Sequence, residues 1–178
     1  MSLAVSTAHH IDKNSNGVVS IGEFHSLQHA GRVFNISEFA STVTLTSGVD
    51  FYFVTGAKYA HADFEVDANA DVVISCRKNI SVTATQLAAL TALSSVNTEL
   101  YSTNVASSVA YRSGTITGSG TLFFTKYLPG VAGKKSQGGV GVARQREWIL
   151  DKDTKYMFRI KPVTTSALCG VVFNFYEV

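Results

Sequence analysis

No stretch of the chain approaches the roughly 20 consecutive apolar residues of a membrane-spanning helix, so no segment reads as a helical span. Charge is thin as well. Charged residues make up 16% of the sequence, where about 25% is usual for a soluble domain. The formal net charge of +2 is too small to argue for a nucleic-acid partner. Cysteine is scarce. Cys76 and Cys169 each lie in an apolar strand-like run and read as buried free thiols, with a single disulfide between them left open.

Catalytic signatures are missing too. The sequence holds no G-x-S-x-G, no C-x-x-C and no H-E-x-x-H. "GVAGKKS" (Gly130–Ser136) has two residues between its glycines, where a phosphate loop needs four to line up its backbone N–H groups. "GSG" (Gly118–Gly120) lacks the third glycine of a dinucleotide fingerprint and precedes a strand. No nucleophile, base and orienting group can be assembled, so the expectation is a non-enzyme without a cofactor.

What the chain has is β-forming residues. Gly, Ser, Thr, Val and Phe are plentiful while Lys and Glu are few, a balance that favours strands and turns. Its 178 residues suit one compact domain, or one domain with an arm. Residues 1–24 are polar, without helical period, and read as an extended arm; 25–178 read as the domain. "GRVFNISEF" (Gly31–Phe39) and "DFYFVTG" (Asp50–Gly56) are strand candidates. In "YAHADFEVD" (Tyr59–Asp67) Ala60, Ala62, Phe64 and Val66 face one way, and Tyr59, His61, Asp63 and Glu65 the other. Period two with one apolar face marks a half-buried strand, and Asp63, Glu65 and Asp67 are then a solvated edge. "DVVISC" (Asp71–Cys76) follows a turn signal and predicts a hairpin with it.

"ATQLAALTALSS" (Ala84–Ser95) is the one helix candidate, with Leu87, Leu90 and Leu93 along one side. Further strands are expected at "SVAYRSG" (Ser108–Gly114), "GTLFFTKYL" (Gly120–Leu128), "REWIL", "KYMFRIK" (Lys155–Lys161) and "ALCGVVFNFYEV" (Ala167–Val178). Tyr156, Phe158 and Ile160 alternate, as do Val171, Phe173 and Phe175. Pro129–Arg146 reads as a long flexible loop rich in glycine and basic residues. Eight or more short strands predict an all-β fold: a single β-sandwich or jelly-roll-like domain, an extended N-terminal arm and at most one short helix.

One motif competes with that reading. "DKNSNGVVSIGEF" (Asp12–Phe24) fits the EF-hand pattern, with Asp12, Asn14 and Asn16 at its first, third and fifth positions, Val18 at the seventh and Glu23 at the twelfth. A working EF-hand needs a helix on each side. Here "STAHH" precedes the motif, few residues separate Glu23 from Gly31, and no second loop exists. The stretch therefore reads as a turn-rich arm and no metal is expected. His25 and His29, spaced i and i+4, lack a third ligand beyond Glu23 and read as turn or packing histidines. Lys134, Lys135, Arg144 and Arg146 are not interleaved with aromatics as in single-strand nucleic-acid binders, and suggest contact with an acidic protein surface or plain solubility.

Several stretches together resemble a known family. "FHSLQHAGRVF" (Phe24–Phe34), "YAHADFEV" (Tyr59–Val66), "GSGTLFF" (Gly118–Phe124), "GGVGVARQREWILDKDTKYMFRI" (Gly138–Ile160) and "FNFYEV" (Phe173–Val178) occur in an order similar to that of tailed-bacteriophage head decoration, or cement, proteins. In that family an Asp/Asn/Gly-containing arm precedes a His-x-Gly-x-x-Phe element, matched by His29, Gly31 and Phe34. A late strand pair is matched by Trp148, Ile149, Leu150, Thr154, Lys155 and Tyr156. "VNTELYSTN" (Val96–Asn104) departs from the pattern in lacking the arginines expected there.

The resemblance implies a β-sandwich that binds the major capsid protein on the outer capsid surface and stabilises the head. It implies a virion location after synthesis in the host cytoplasm, a homo-oligomer with a trimer preferred, and neither nucleic acid nor membrane as partner. Contacts would come from the arm and the Gly130–Arg146 loop, through Asp12, Asn14, Phe24, His25, His29, Lys134, Lys135, Arg144 and Arg146. The alternative is a lectin-like or receptor-binding module of a phage fibre or tail, with Tyr101, Tyr111 and Tyr127 as candidate platforms.

Overall fold

The structure, a computed structural model, describes residues 9–11, 18–20, 27–113, 120–130 and 148–178. Two short strands, β1 (His9–Ile11) and β2 (Val18–Ser20), pair antiparallel as a separate ribbon. A helical turn at 27–29 leads into β3 (Val33–Val43), β4 (Val49–Val54), β5 (Ala60–Ala68) and β6 (Val72–Lys78). A long connection then carries α1 (Ala84–Ala88), β7 (Thr91–Leu93), β8 (Val96–Asn97) and β9 (Val109–Ser113). Four strands follow: β10 (Thr121–Leu128), β11 (Trp148–Leu150), β12 (Lys155–Pro162) and β13 (Ala167–Glu177).

Eight of these strands pair as one doubled ribbon. β3 pairs with β13, β4 with β12, β5 with β11 and β6 with β10, all antiparallel. Folding that ribbon over itself sets β13 beside β5 and β12 beside β6. The resulting sheets run β11-β5-β13-β3-β8 and β10-β6-β12-β4-β9-β7. Without the added strands β7, β8 and β9, this is the two-Greek-key order of a jelly roll. The all-β sandwich expected from the alternating pattern is the fold observed.

Strand burial follows the alternation. On β5, Ala60, Ala62, Phe64, Val66 and Ala68 are buried while the residues between them are half-exposed or exposed. They meet Val72, Ile74 and Cys76 of β6 and Phe158 and Ile160 of β12 in one core. Its centre is aromatic: Phe173 lies 4.4 Å from Phe64 and 4.8 Å from Phe158 between ring centroids, and Phe53 lies 5.0 Å from Phe175. Trp148 stacks on Phe158 at 5.8 Å and is half-buried.

Two local expectations are corrected. The turn after β5 does not make a hairpin, because β5 and β6 lie in opposite sheets and face each other across the core. The backbone of that connection bonds instead to the β12–β13 corner, Val163 N–H to Asp71 C=O at 2.9 Å and Asn69 N–H to Leu168 C=O at 3.2 Å. The helix is also shorter than the predicted Ala84–Ser95. A capping box starts it, with Gln86 N–H donating to Thr83 Oγ1 and Thr83 N–H to Gln86 Oε1. It ends at Ala88 because Thr91–Leu93 pairs with β9 instead. Leu87 joins Tyr52, Ile80, Val82 and Met157 in a second apolar cluster. Tyr52 and Met157 alternate with core residues on β4 and β12, so this cluster covers the outer face of their sheet.

The same connection widens both sheets on one side, β9 and β7 beyond β4 and β8 beyond β3. There Arg112 donates to Glu38 Oε1 at 2.6 Å, tying one sheet to the other.

Candidate interaction surface

The segment between β8 and β9 combines tight internal bonding with exposed apolar side chains. Its first anchor is a pair of asparagines. Asn97 Nδ2 donates to Gly31 C=O at 2.8 Å and Asn104 C=O at 3.3 Å, while Asn104 Nδ2 donates to Ala30 C=O at 3.0 Å and Gly31 C=O at 3.1 Å. Thr98 donates twice to Val33 C=O, from N–H at 2.9 Å and from Oγ1 at 3.1 Å. Glu99 N–H donates to Asn97 Oδ1 at 2.9 Å, and Asn104 N–H to Ser102 Oγ at 3.1 Å. Short polar side chains that bond neighbouring backbone hold such turns without regular structure. Gly31 is required beneath them. Its φ is +62°, and an added Cβ would sit 2.1 Å from Ser102 Oγ.

The second anchor is at the other end. Ser107 N–H and Ser108 N–H donate to the two oxygens of Glu177 at 3.0 and 2.7 Å. Glu177 is only 5% exposed and Ser108 3%. Gly56 N–H donates to Ser108 Oγ at 3.4 Å, and a Cβ on Gly56 would lie 2.4 Å from Ser107 Oγ. Burial raises the Glu177 pKa, but the hydrogen bonds from Ser108 and Ser107 outweigh it and hold the carboxyl below its ordinary value.

Between the anchors, Leu100, Tyr101 and Val105 are 82%, 95% and 85% exposed, the three highest among the large hydrophobic residues described. Val96, on the edge strand β8, is also exposed. Single exposed apolar residues are ordinary; three on one braced loop leave apolar area in water that burial against a partner would remove. Because the loop is already ordered, a partner would bind it at little entropic cost.

Of the residues singled out from the sequence, His29 lies beside this loop, its Nδ1 3.8 Å from Glu99 Oε2. Val18 lies in β2, opposite Ile11. Asp12, Asn14, Asn16, Glu23, Phe24, His25, Lys134, Lys135, Arg144 and Arg146 lie outside the described residues, as does most of the Gly130–Arg146 loop. The element ending just before Asp12 is a strand, where an EF-hand has a helix. Among the described residues, no three His, Cys, Asp or Glu side chains converge on a possible metal site.

Tyr101 stands free on the loop, while Tyr111 is half-buried against the cluster containing Tyr52 and Met157. Tyr127 is exposed and donates to Asp71 Oδ2 at 2.7 Å; Gly130 N–H donates to Asp71 Oδ1 at 2.6 Å. These two bonds lower the pKa of Asp71. Cys76 and Cys169 are buried and free, and burial pushes their thiols up, that of Cys169 to about 11. Leu100, Tyr101 and Val105 were missed in the sequence because nothing periodic surrounds them. The available signal was isolated large apolar residues in a Ser/Thr/Asn-rich stretch.

Comparison of the chain with protein-family models, curated proteins and solved structures finds no match.

Proposed function

We propose that this protein is a non-enzymatic structural component of a bacteriophage virion, which binds the outer capsid surface and stabilises the head. The observation that carries the proposal is the braced display of Leu100, Tyr101 and Val105. A decoration protein works by burying area across adjacent capsid subunits. Each bound copy then stabilises the shell by mass action. A stiff sandwich with a pre-shaped apolar loop supplies what that task needs, and jelly rolls are a recurrent architecture of capsid proteins. The resemblance in "FHSLQHAGRVF", "GSGTLFF" and "FNFYEV" adds support. His29, an interface candidate by that resemblance, lies beside the loop through Glu99. The partner in this reading is the major capsid protein, and a trimer matches the threefold positions of a shell.

The test is co-sedimentation with purified, undecorated, expanded heads. Saturable binding is expected, with an affinity at least tenfold weaker for the double variant Leu100→Ser/Tyr101→Ser at unchanged melting temperature. Absence of saturable binding by the wild type would overturn the proposal.

A second reading rests on Tyr127. An exposed aromatic ring bonded to an aspartate, as Tyr127 is to Asp71, suits a carbohydrate platform in a lectin-like or receptor-binding fibre module. A glycan array separates the two: sugar binding abolished by Tyr127→Ala favours the fibre module, and an empty array favours the capsid role.

A further inference from the structure

We infer that the Glu177 carboxylate is the latch of the 98–108 loop: made, it fixes the loop in its displayed shape; unmade, it frees the loop while the sandwich stays folded. The inference rests on the docking role proposed for this loop and concerns how the loop is held. The two ends of the segment are secured differently. At the β8 end, Asn97, Thr98 and Asn104 spread their bonds over three carbonyl groups, those of Ala30, Gly31 and Val33, besides the loop's own. At the β9 end, Ser107 and Ser108 N–H both depend on one side chain.

That side chain is well placed to act from outside the loop. Glu177 closes β13, opposite Ala60 of β5, and β13 lies between β3 and β5 in the sheet. The carboxylate is therefore held by the rigid body, while the groups it grips belong to a segment without strand pairing between Asn97 and Val109. Segments held by few bonds open as local units below the global unfolding energy. Gly56 supports the same point from the opposite side. Only a residue without Cβ lets Ser107 lie against it, since the added carbon would stand 2.7 Å from Ser107 Cβ.

Glutamine at 177 keeps one acceptor oxygen and presents an N–H2 to the other serine amide, so one of the two bonds must be lost. Glu177→Gln is expected to raise amide hydrogen exchange at Ser107 and Ser108 at least tenfold. Exchange across 99–106 should rise with it, and protection in β3, β5 and β13 should stay unchanged. Gly56→Ala, which displaces Ser107 with Glu177 intact, is expected to open the same amides.

Unchanged exchange in 99–108 in Glu177→Gln, or an equal loss of protection throughout the sandwich, would overturn the latch. The same variants mixed with undecorated heads separate the two ideas. If the wild type fails to bind while both variants open the loop, the latch stands and the capsid role falls. If the wild type binds and the opened variants bind equally well, the latch's bearing on docking is refuted.

Discussion

Asp50 and Arg159 sit opposite each other on β4 and β12, joined by two bonds, Nε to Oδ1 at 2.6 Å and the other guanidinium N–H to Oδ2 at 2.7 Å. Asp50 is fully buried, whereas the Arg159 side chain keeps a third of its surface in solvent. The arginine therefore holds the charge of a carboxylate that water cannot reach. Breaking such a pair from one side costs more than the pair adds over an apolar replacement. Arg159→Met is expected to destabilise the fold by about 3 kcal/mol in urea titration, with the double variant Asp50→Leu/Arg159→Met closer to wild type. Glu177 offers a different residue-scale test. Its folded pKa lies below the ordinary 4.5, so its stabilisation is present above that value and is lost as pH falls through the folded pKa. No other ionisable side chain is among the causes of the shift, which comes from burial and the two serines. NMR shifts of the Ser107 and Ser108 amides should titrate together with a midpoint below 4.5.

At the scale of elements, the aromatic layer between the sheets carries the packing. Phe173 touches Phe53, Phe64 and Phe158 from the middle of β13 and is 1% exposed. Phe173→Ala leaves a cavity bounded by three rings held in both sheets, and is expected to cost about 3–5 kcal/mol by urea unfolding. This layer was legible in the sequence, because Phe64 and Phe173 stand in strict period-two runs with their neighbours. Alternation states which face a strand buries, but it does not state which strand lies beside it. That is why β5 and β6 were expected as a hairpin when they face each other across the core. The helix went the same way: Leu87, Leu90 and Leu93 share a helical spacing, yet pairing of Thr91–Leu93 with β9 outweighs it in the second turn. The loop at 98–108 was hidden for a further reason. Its order comes from Gly31, Val33, Gly56 and Glu177, which are far from it in sequence, and no local pattern reports such bonds.

The whole molecule is organised by nested pairing from the outside of the sequence inward. The β3–β13 pair encloses the β4–β12 pair in the sequence, and the Asn35–Asn174 side-chain bond spans 139 positions. Every pair of the sandwich lies between Val33 and Glu177. Among the described residues, β1 and β2 pair only with each other. Folding and docking are thus assigned to different parts of the chain in the capsid reading: the nested strands hold the body, and the first residues and the 98–108 loop reach a partner. Removing residues 1–26 tests that division. The truncated protein is expected to keep its cooperative melt, with the midpoint shifted by no more than about 3 °C, the change that roughly 1 kcal/mol produces in a domain of this size. Its binding to undecorated heads should fall at least tenfold. A large drop in melting temperature would instead make the arm part of the body, and full binding by the truncated chain would leave docking to the loop alone.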